Sequence, residues 1–293
     1  MTAVLILDLK KSKKYSNQER NDIQQYLVKV ADILNSVFRE NLLRNLCFNG
    51  GDELQGLFRN PESAFLCLRM FWRALHTIKC HAGIGIGEWT TIVENHNTYY
   101  QDGPVYHRAR KAIDFSKKET DYSAIVISNT KHDPVLNAMI NSCYRLTCGN
   151  SSYQNELAII LECRYPIPRD YPLERNALEE FPEIVKENNR KSIDIYSRVQ
   201  DIVNRAKEEK SHSQTSPILR LNEPIKVSVE TNHPSDNAVF QYSHPYGAAS
   251  ELAEYSGLTR QSVDNALRKA DIYTERSIAI AIVSELQHIT FEA

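Results

Sequence analysis

Asp8 and the turn Gly50-Gly51-Asp52-Glu53 together constrain this chain more than anything else in it. Leu43 to Phe48 before the turn and Leu54 to Phe58 after it are short apolar runs. Such runs, joined by glycines, read as the two strands of a tight hairpin. Asp8 closes a third run, Ala3-Val4-Leu5-Ile6-Leu7. From Asn21 onward, Ile23, Leu27, Val30, Leu34, Val37 and Phe38 recur at three- and four-residue steps. That is the stripe of an amphipathic helix of about twenty residues, roughly 30 Å long. A helix of that length crosses a sheet and returns the chain to a strand beside the first. Two acids on a hairpin tip and a third at a neighbouring strand end are what a two-metal phosphoryl or nucleotidyl transfer site requires. Taken alone, Gly-Gly-Asp-Glu is also an ordinary turn, since Gly and Asp are preferred turn residues. The strand, helix and hairpin around it favour the functional reading.

The rest of the first half extends this order. Residues 9–20 are polar and lysine-rich, a loop. Asn60-Pro61-Glu62 starts a helix that runs to about Leu75, with Asn as cap and Pro at the first position. Cys80 to Gly87 alternates as a strand, and a polar loop covers roughly 90–102. Pro104 to Phe115 reads as a helix, Ser123 to Ser128 as a strand and Pro134 to Ile140 as a short helix. Tyr144 to Cys148 and Leu157 to Cys163 read as closing strands. The expected fold is α/β of the α+β kind: a mixed sheet with a ferredoxin-like core and helices on one face.

Beyond residue 165 the pattern changes. Prolines 166, 168 and 172 break the chain, a charged helical stretch runs through Glu183 to Lys210, and Ser211 to Pro217 reads as a linker. Residues 218–246 hold short β-like pieces such as Ile225 to Val229. Ala248 to Tyr255 and Thr259 to Ala270 read as helices turned by Gly257, and Ile278 to Leu286 opens a third. The division is therefore a first domain over 1–165, a connector over 166–246 and a helical domain over 247–293.

A formal charge of −2 gives no global attraction to nucleic acid or to acidic membranes, so any such contact must come from a local patch. The six cysteines form no CxxC pair and no zinc-finger spacing with histidine. Several lie inside apolar runs, as buried free thiols do, and a reducing cytoplasm is the expected location. The short run before Asp8 reads as too short and too soon interrupted for a signal peptide, and no stretch approaches membrane-spanning length.

Three further groups carry candidate chemistry. Gly83, Gly85 and Gly87 alternate within a strand, so one face is bare; close helix packing and contact with a base or ribose are both open. Asp102-Gly103-Pro104 opens a helix whose free N–H groups can meet a phosphate, with His107, Arg110 and Lys111 a turn or two on. These basic residues either neutralise triphosphate charge or form a solvated face. Lys10, Lys11, Lys13 and Lys14 likewise read as a phosphate lid or a solvated loop. Near the end, Leu252-Ala253-x-x-x-Gly257-Leu258-x-x-x-x-Val263 has helix-turn-helix spacing. Its second helix presents Arg260, Gln261, Ser262, Asn265, Arg268 and Lys269, types suited to phosphates and base edges. A hairpin used only for packing or oligomerisation is the alternative.

Gly50-Gly51-Asp52-Glu53-Leu54 resembles the GGDEF hairpin of diguanylate cyclases and the matching hairpin of class III nucleotidyl cyclases. In those palm-type proteins one metal-binding Asp ends the first strand and another sits on the hairpin, which Asp8 and Asp52 match. The chain is more similar to the SatD family. The resemblance runs through Leu7-Asp8-Leu9-Lys10-Lys11-Ser12, then Gly51-Asp52-Glu53-Leu54-Gln55-Gly56-Leu57, Gly83-Ile84-Gly85-Ile86-Gly87-Glu88 and Asp102-Gly103-Pro104-Val105-Tyr106-His107-Arg108-Ala109-Arg110-Lys111-Ala112. The diguanylate cyclase motifs between the first Asp and the hairpin are missing, and His107 stands where class III cyclases carry Asn.

The resulting expectation is a nucleotide-binding, Mg²⁺- or Mn²⁺-dependent protein with nucleotidyltransferase- or cyclase-like activity on nucleoside triphosphates. Asp8 and Asp52 hold metal in this reading, and Glu53 is a third ligand or positions the attacking hydroxyl. Arg110 and Lys111 stabilise phosphate charge, while Gly50, Gly51, Gly85, Asp102 and His107 line the nucleotide. DNA is the expected partner of the helix-turn-helix. A homodimer is implied by the resemblance, because palm-type cyclases build their site between protomers. The alternative is a transcription regulator that senses a nucleotide without turnover.

Overall fold

The computed structural model describes residues 1–10, 16–49, 53–76, 78–118, 122–167, 173–187 and 243–289. Five strands form one sheet: β1 (Thr2–Leu9), β2 (Leu42–Asn49), β3 (Glu53–Phe58), β4 (Cys80–Gly87) and β5 (Ala124–Ile127). Their order is β2-β3-β1-β4-β5. β1 runs antiparallel to both β3 and β4, and β5 is parallel to β4. The first four strands, with helices α1 (Asn17–Val37) and α2 (Pro61–Leu75) as crossovers, make the expected ferredoxin-like β-α-β-β-α-β unit.

Local signals place these helices. Ser16 and Glu19 form a capping box at the start of α1. Asn60 caps α2, with Pro61 in its first turn. Both helices lie on the face carrying Ala3, Leu5 and Leu7, where Leu27, Val30, Leu34, Phe65, Leu68 and Phe71 complete the main core.

Helices occupy both faces of the sheet, not one. On the second face, Val4, Ile6 and Leu57 pack against Val105, Tyr106, Ala109 and Ile113 of α3 (Pro104–Lys118). The glycines of β4 explain this. A Cβ on Gly83 would stand 2.4 Å from the Ile113 nitrogen, and one on Gly85 would stand 2.2 Å from the Ala109 nitrogen and the Val105 oxygen. The bare face of β4 is filled by helix backbone.

The two expected closing strands are helical. Tyr144 to Cys148 ends α4 (Asp133–Cys148), and Leu157 to Cys163 lies inside α5 (Ser152–Arg164). A short apolar run fits a buried helix as well as a strand, and Ser151 with Gln154 forms a capping box that starts α5. α4 covers the edge of β5. Asn137 accepts from the Val126 N–H at 2.6 Å and donates to the Val126 carbonyl at 2.9 Å. Asn141 accepts from the Ser123 N–H at 2.8 Å and donates to the Ala124 carbonyl at 2.7 Å. Two amides one helical turn apart thus stand in for a sixth strand.

Residues 175–187 are helical (α6), which takes in the start of the charged stretch expected from Glu183. The remainder of that stretch, the linker at 211–217 and the β-like pieces to 242 lie outside the described residues. α7 (Ala248–Ser256), α8 (Arg260–Lys269) and α9 (Ile272–His288) close the chain. Gly257, at φ 67°, turns α7 into α8, and Thr259 caps α8. α9 lies along α4 and α2, while α7 and α8 meet α5. All six cysteines are free, four of them buried. Among the described residues no helix is long and apolar enough to cross a membrane.

Candidate functional site

The antiparallel pairing of β1 with both neighbours fixes which residues meet at one end of the sheet. Asp8 stands opposite Glu53 on β3 and opposite His81 on β4. Residues paired in this way share a face. Here it is the face of Val4 and Ile6, beneath α3. Two carboxylates are therefore adjacent at a strand end, a costly arrangement unless charge is supplied to them.

α3 supplies it. Arg110 donates to Glu53 through both terminal nitrogens, Nη1 to Oε2 at 2.6 Å and Nη2 to Oε1 at 2.8 Å. This bidentate fork is the strong form of an arginine–carboxylate pair. Lys117 places Nζ 2.6 Å from Asp8 Oδ2. Both acids are largely covered, with side-chain exposures of 19% for Asp8 and 18% for Glu53. Ser116 lies 3.2 Å from His81 Nδ1, and Lys10 donates to Ser123 at 2.9 Å on the same margin. Burial first, and then the nearby charges of Lys10 and Lys117, push the His81 imidazole down to about 4, so it is neutral at physiological pH.

Tyr99, from a short 3₁₀ turn at Thr98–Tyr100, steadies the hairpin. Its hydroxyl lies 3.3 Å from the Cys47 carbonyl and 3.4 Å from that of Glu53. Thr98 beside it is tied to the buried Gln55 at 3.0 Å and to the Tyr106 hydroxyl at 3.1 Å. Asn49 pairs with Glu53, so three residues, Gly50, Gly51 and Asp52, connect the two strands. These three lie outside the described residues, as do Lys11, Lys13 and Lys14.

Asp8, Glu53 and Arg110 are thus brought together. Lys111 is not: it is exposed one position further around α3, and Lys117 takes the place expected of it. Arg110 and Lys117 are seven residues apart, two helical turns, so they share a face of α3, but the sequence reading did not single out Lys117. His81 follows from Asp8 only once the β1–β4 register is known. The nucleotide-lining role expected of Gly85 gives way to helix packing, because α3 backbone occupies its face. Asp102 and His107 sit at the opposite end of α3 from Lys117, with His107 Nε2 3.4 Å from Asp102 Oδ1 and both side chains exposed. His107 and Lys117 are ten residues apart, about 15 Å along the helix. Glu88 falls at that far end as well, because Gly87 pairs with Thr2.

The donor chemistry suits a hard cation, since carboxylate oxygens are what Mg²⁺ and Mn²⁺ prefer. Among the described residues no group of three or more His, Cys, Asp or Glu side chains could hold a metal ion. Asp8 and Glu53 are two donors of the expected set, and Asp52 would be the third.

A second candidate surface lies on α8. Arg260, Gln261, Ser262, Asn265, Arg268 and Lys269 are all exposed, while Val263, Ala266 and Leu267 are buried against the neighbouring helices. Arg268 is paired with Asp264 at 2.8 Å along the same helix.

The SatD family model matches residues 2–164 of the 293-residue chain, more than half of it, and ends with the last residue of α5. No curated protein matches the sequence.

Proposed function

We propose, on the premise that this chain belongs to the SatD family, that it is a magnesium-dependent nucleotide-binding protein with nucleotidyltransferase- or cyclase-like activity. The observation that carries this reading is the register that sets Asp8 against Glu53 beneath two cations of α3. Asp8 and Asp52 are the metal ligands in this reading, and Glu53 is a third ligand or orients the attacking hydroxyl. A bound divalent ion would lower the pKa of that hydroxyl and carry triphosphate charge. The chain's own cations do the rest. Arg110, already forked onto Glu53, is placed to hold Glu53 in one orientation or to turn towards a phosphate. The order of strands, with an acid ending β1 and acids on the β2–β3 hairpin, supports the likeness to palm-type cyclases.

The exposed polar face of α8 supports a DNA-binding role for the C-terminal helices. A nucleotide-sensing regulator without turnover is the second reading. It is favoured by one observation: Asp8 and Glu53 are both ion-paired within the chain itself.

Titration of the full-length protein with each nucleoside triphosphate, with and without Mg²⁺, tests the proposal. Binding is expected to need the metal and to weaken at least about tenfold in Asp8→Asn and in Asp52→Asn, the loss of one charged ligand. Binding unaffected by either change, or by chelation of the metal, would end the reading. Release of pyrophosphate then separates the enzyme from the sensor.

A further inference from the structure

Lys117 is given no step of its own in the chemistry just described, yet it is ion-paired with Asp8. Its Nζ is 2.6 Å from Oδ2, with side-chain exposures of 36% for the lysine and 19% for the aspartate. The neighbouring Glu53 is engaged in the same way by Arg110. Two carboxylates therefore face two cations from one helix, and these four side chains together are formally neutral. A divalent cation arriving at Asp8 would meet a fixed ammonium within a few ångströms, and like charges at that distance repel strongly near a protein surface. The C-terminal turn of α3 also favours a cation at this position.

From this geometry we infer that Lys117 is a resident counter-ion that keeps free divalent metal off Asp8 and yields it to metal arriving with a polyphosphate. The inference rests on the reading of Asp8 as a metal ligand and says what that site accepts. A metal ion alone adds positive charge to carboxylates that Arg110 and Lys117 already balance. A metal–triphosphate complex brings its own negative charge, and the displaced ammonium then has phosphate oxygens to pair with. The ligand class is thus the metal–polyphosphate complex, with weak affinity for the bare ion. Lys117 acts here as a positioning residue: it sets the charge that Asp8 presents.

Mn²⁺ binding, read by electron paramagnetic resonance on full-length protein, tests this without any turnover. Wild type is expected to bind free Mn²⁺ weakly and to gain affinity when a non-hydrolysable triphosphate analogue is present. Lys117→Met is expected to bind free Mn²⁺ about tenfold more tightly and to gain less from the analogue. Lys117→Arg, which keeps the charge, is expected to behave as wild type, which separates charge from packing. If Lys117→Met binds free Mn²⁺ no more tightly while Asp8→Asn abolishes binding, the counter-ion role is wrong and the metal site stands. If Asp8→Asn changes nothing even with the analogue present, both fall together.

Discussion

His81 gives the candidate site a dependence on pH whose sign follows from its surroundings. Burial, Lys10 and Lys117 bring its imidazole down to about 4 from an ordinary 6.5, although it stands opposite Asp8. Above pH 6.5 the ring is neutral folded and unfolded, and it contributes nothing to the pH dependence. Between 6.5 and 4 the unfolded chain binds the proton more readily, so stability falls as pH falls, and the fall levels off below 4. Because the ring is only partly buried, solvent screening reduces the effect to about 1 kcal/mol. Denaturant titrations at pH 7 and pH 4.5 should show a smaller pH-dependent loss in His81→Gln than in wild type. Equal losses in the two proteins would show that His81 titrates normally. At this scale the sequence disclosed the acids better than their partners. Asp8 and Glu53 announce themselves as acids at the ends of apolar runs, and Arg110 follows from the helix after Pro104. Lys117 and His81 act through register and helix face, which are properties of pairs of elements and are not visible in a local motif.

The elements obey the same division. β1, the hairpin, α1, α2 and β4 follow from periodicity and caps. Tyr144 to Cys148 and Leu157 to Cys163 mislead, because a buried helix and a buried strand both present short continuous apolar runs. The glycines of β4 could serve ligand or helix until α3 was seen on them. Their use is now specific enough to test. In Gly85→Ala the new methyl would lie 2.2 Å from the Ala109 nitrogen and the Val105 oxygen, both backbone atoms that move only with the whole helix. The expected cost is about 3 kcal/mol, the upper part of the range for overpacking, read as a lowered urea midpoint with an unchanged slope. Displacing α3 also moves Arg110 and Lys117 off Glu53 and Asp8, so Mn²⁺ binding should change with stability. A neutral substitution would mean that α3 does not lie against β4 in this way.

At the level of the molecule, the matched segment and the helices after it are joined by buried charge that no motif revealed. Glu275 of α9 is fully buried and is met by Arg69 at 2.6 Å and Arg73 at 2.7 Å from α2. Thr147 and Cys143 of α4 donate to it as well, at 3.2 Å and 3.1 Å. Arg69 also reaches Glu162 of α5 at 2.7 Å, and Glu162 is paired in turn with Arg276 of α9. Burial by itself would raise the Glu275 carboxyl, but Arg69 and Arg73 hold it well below the usual carboxylate range. The five charged side chains belong to α2, α5 and α9, far apart in sequence, which is why spacing arguments could not find them. Residues 2–164 contain both arginines of α2 but only one of the two acids. Among the described residues, Arg73 without α9 would keep only Asn155 Oδ1 at 3.5 Å as a side-chain partner. Glu275→Gln preserves volume and removes the charge, leaving Arg73 unpaired in the core. Breaking one partner of a buried pair costs about 3–5 kcal/mol, a large part of the stability of a typical protein. The loss should be felt at both ends of the chain at once. Unfolding followed by Trp fluorescence, which reports Trp72 on α2 and Trp89 beyond β4, should shift together with far-UV circular dichroism, which weights the helices. A change below about 1 kcal/mol, or a C-terminal transition that separates from the fluorescence, would mean that the buried network does not join the two parts. Its failure would also free the α8 surface to move against the acid cluster. Its success would fix the two in one frame, and under the proposed function a nucleotide signal would have to pass through local changes at Asp8 and α3.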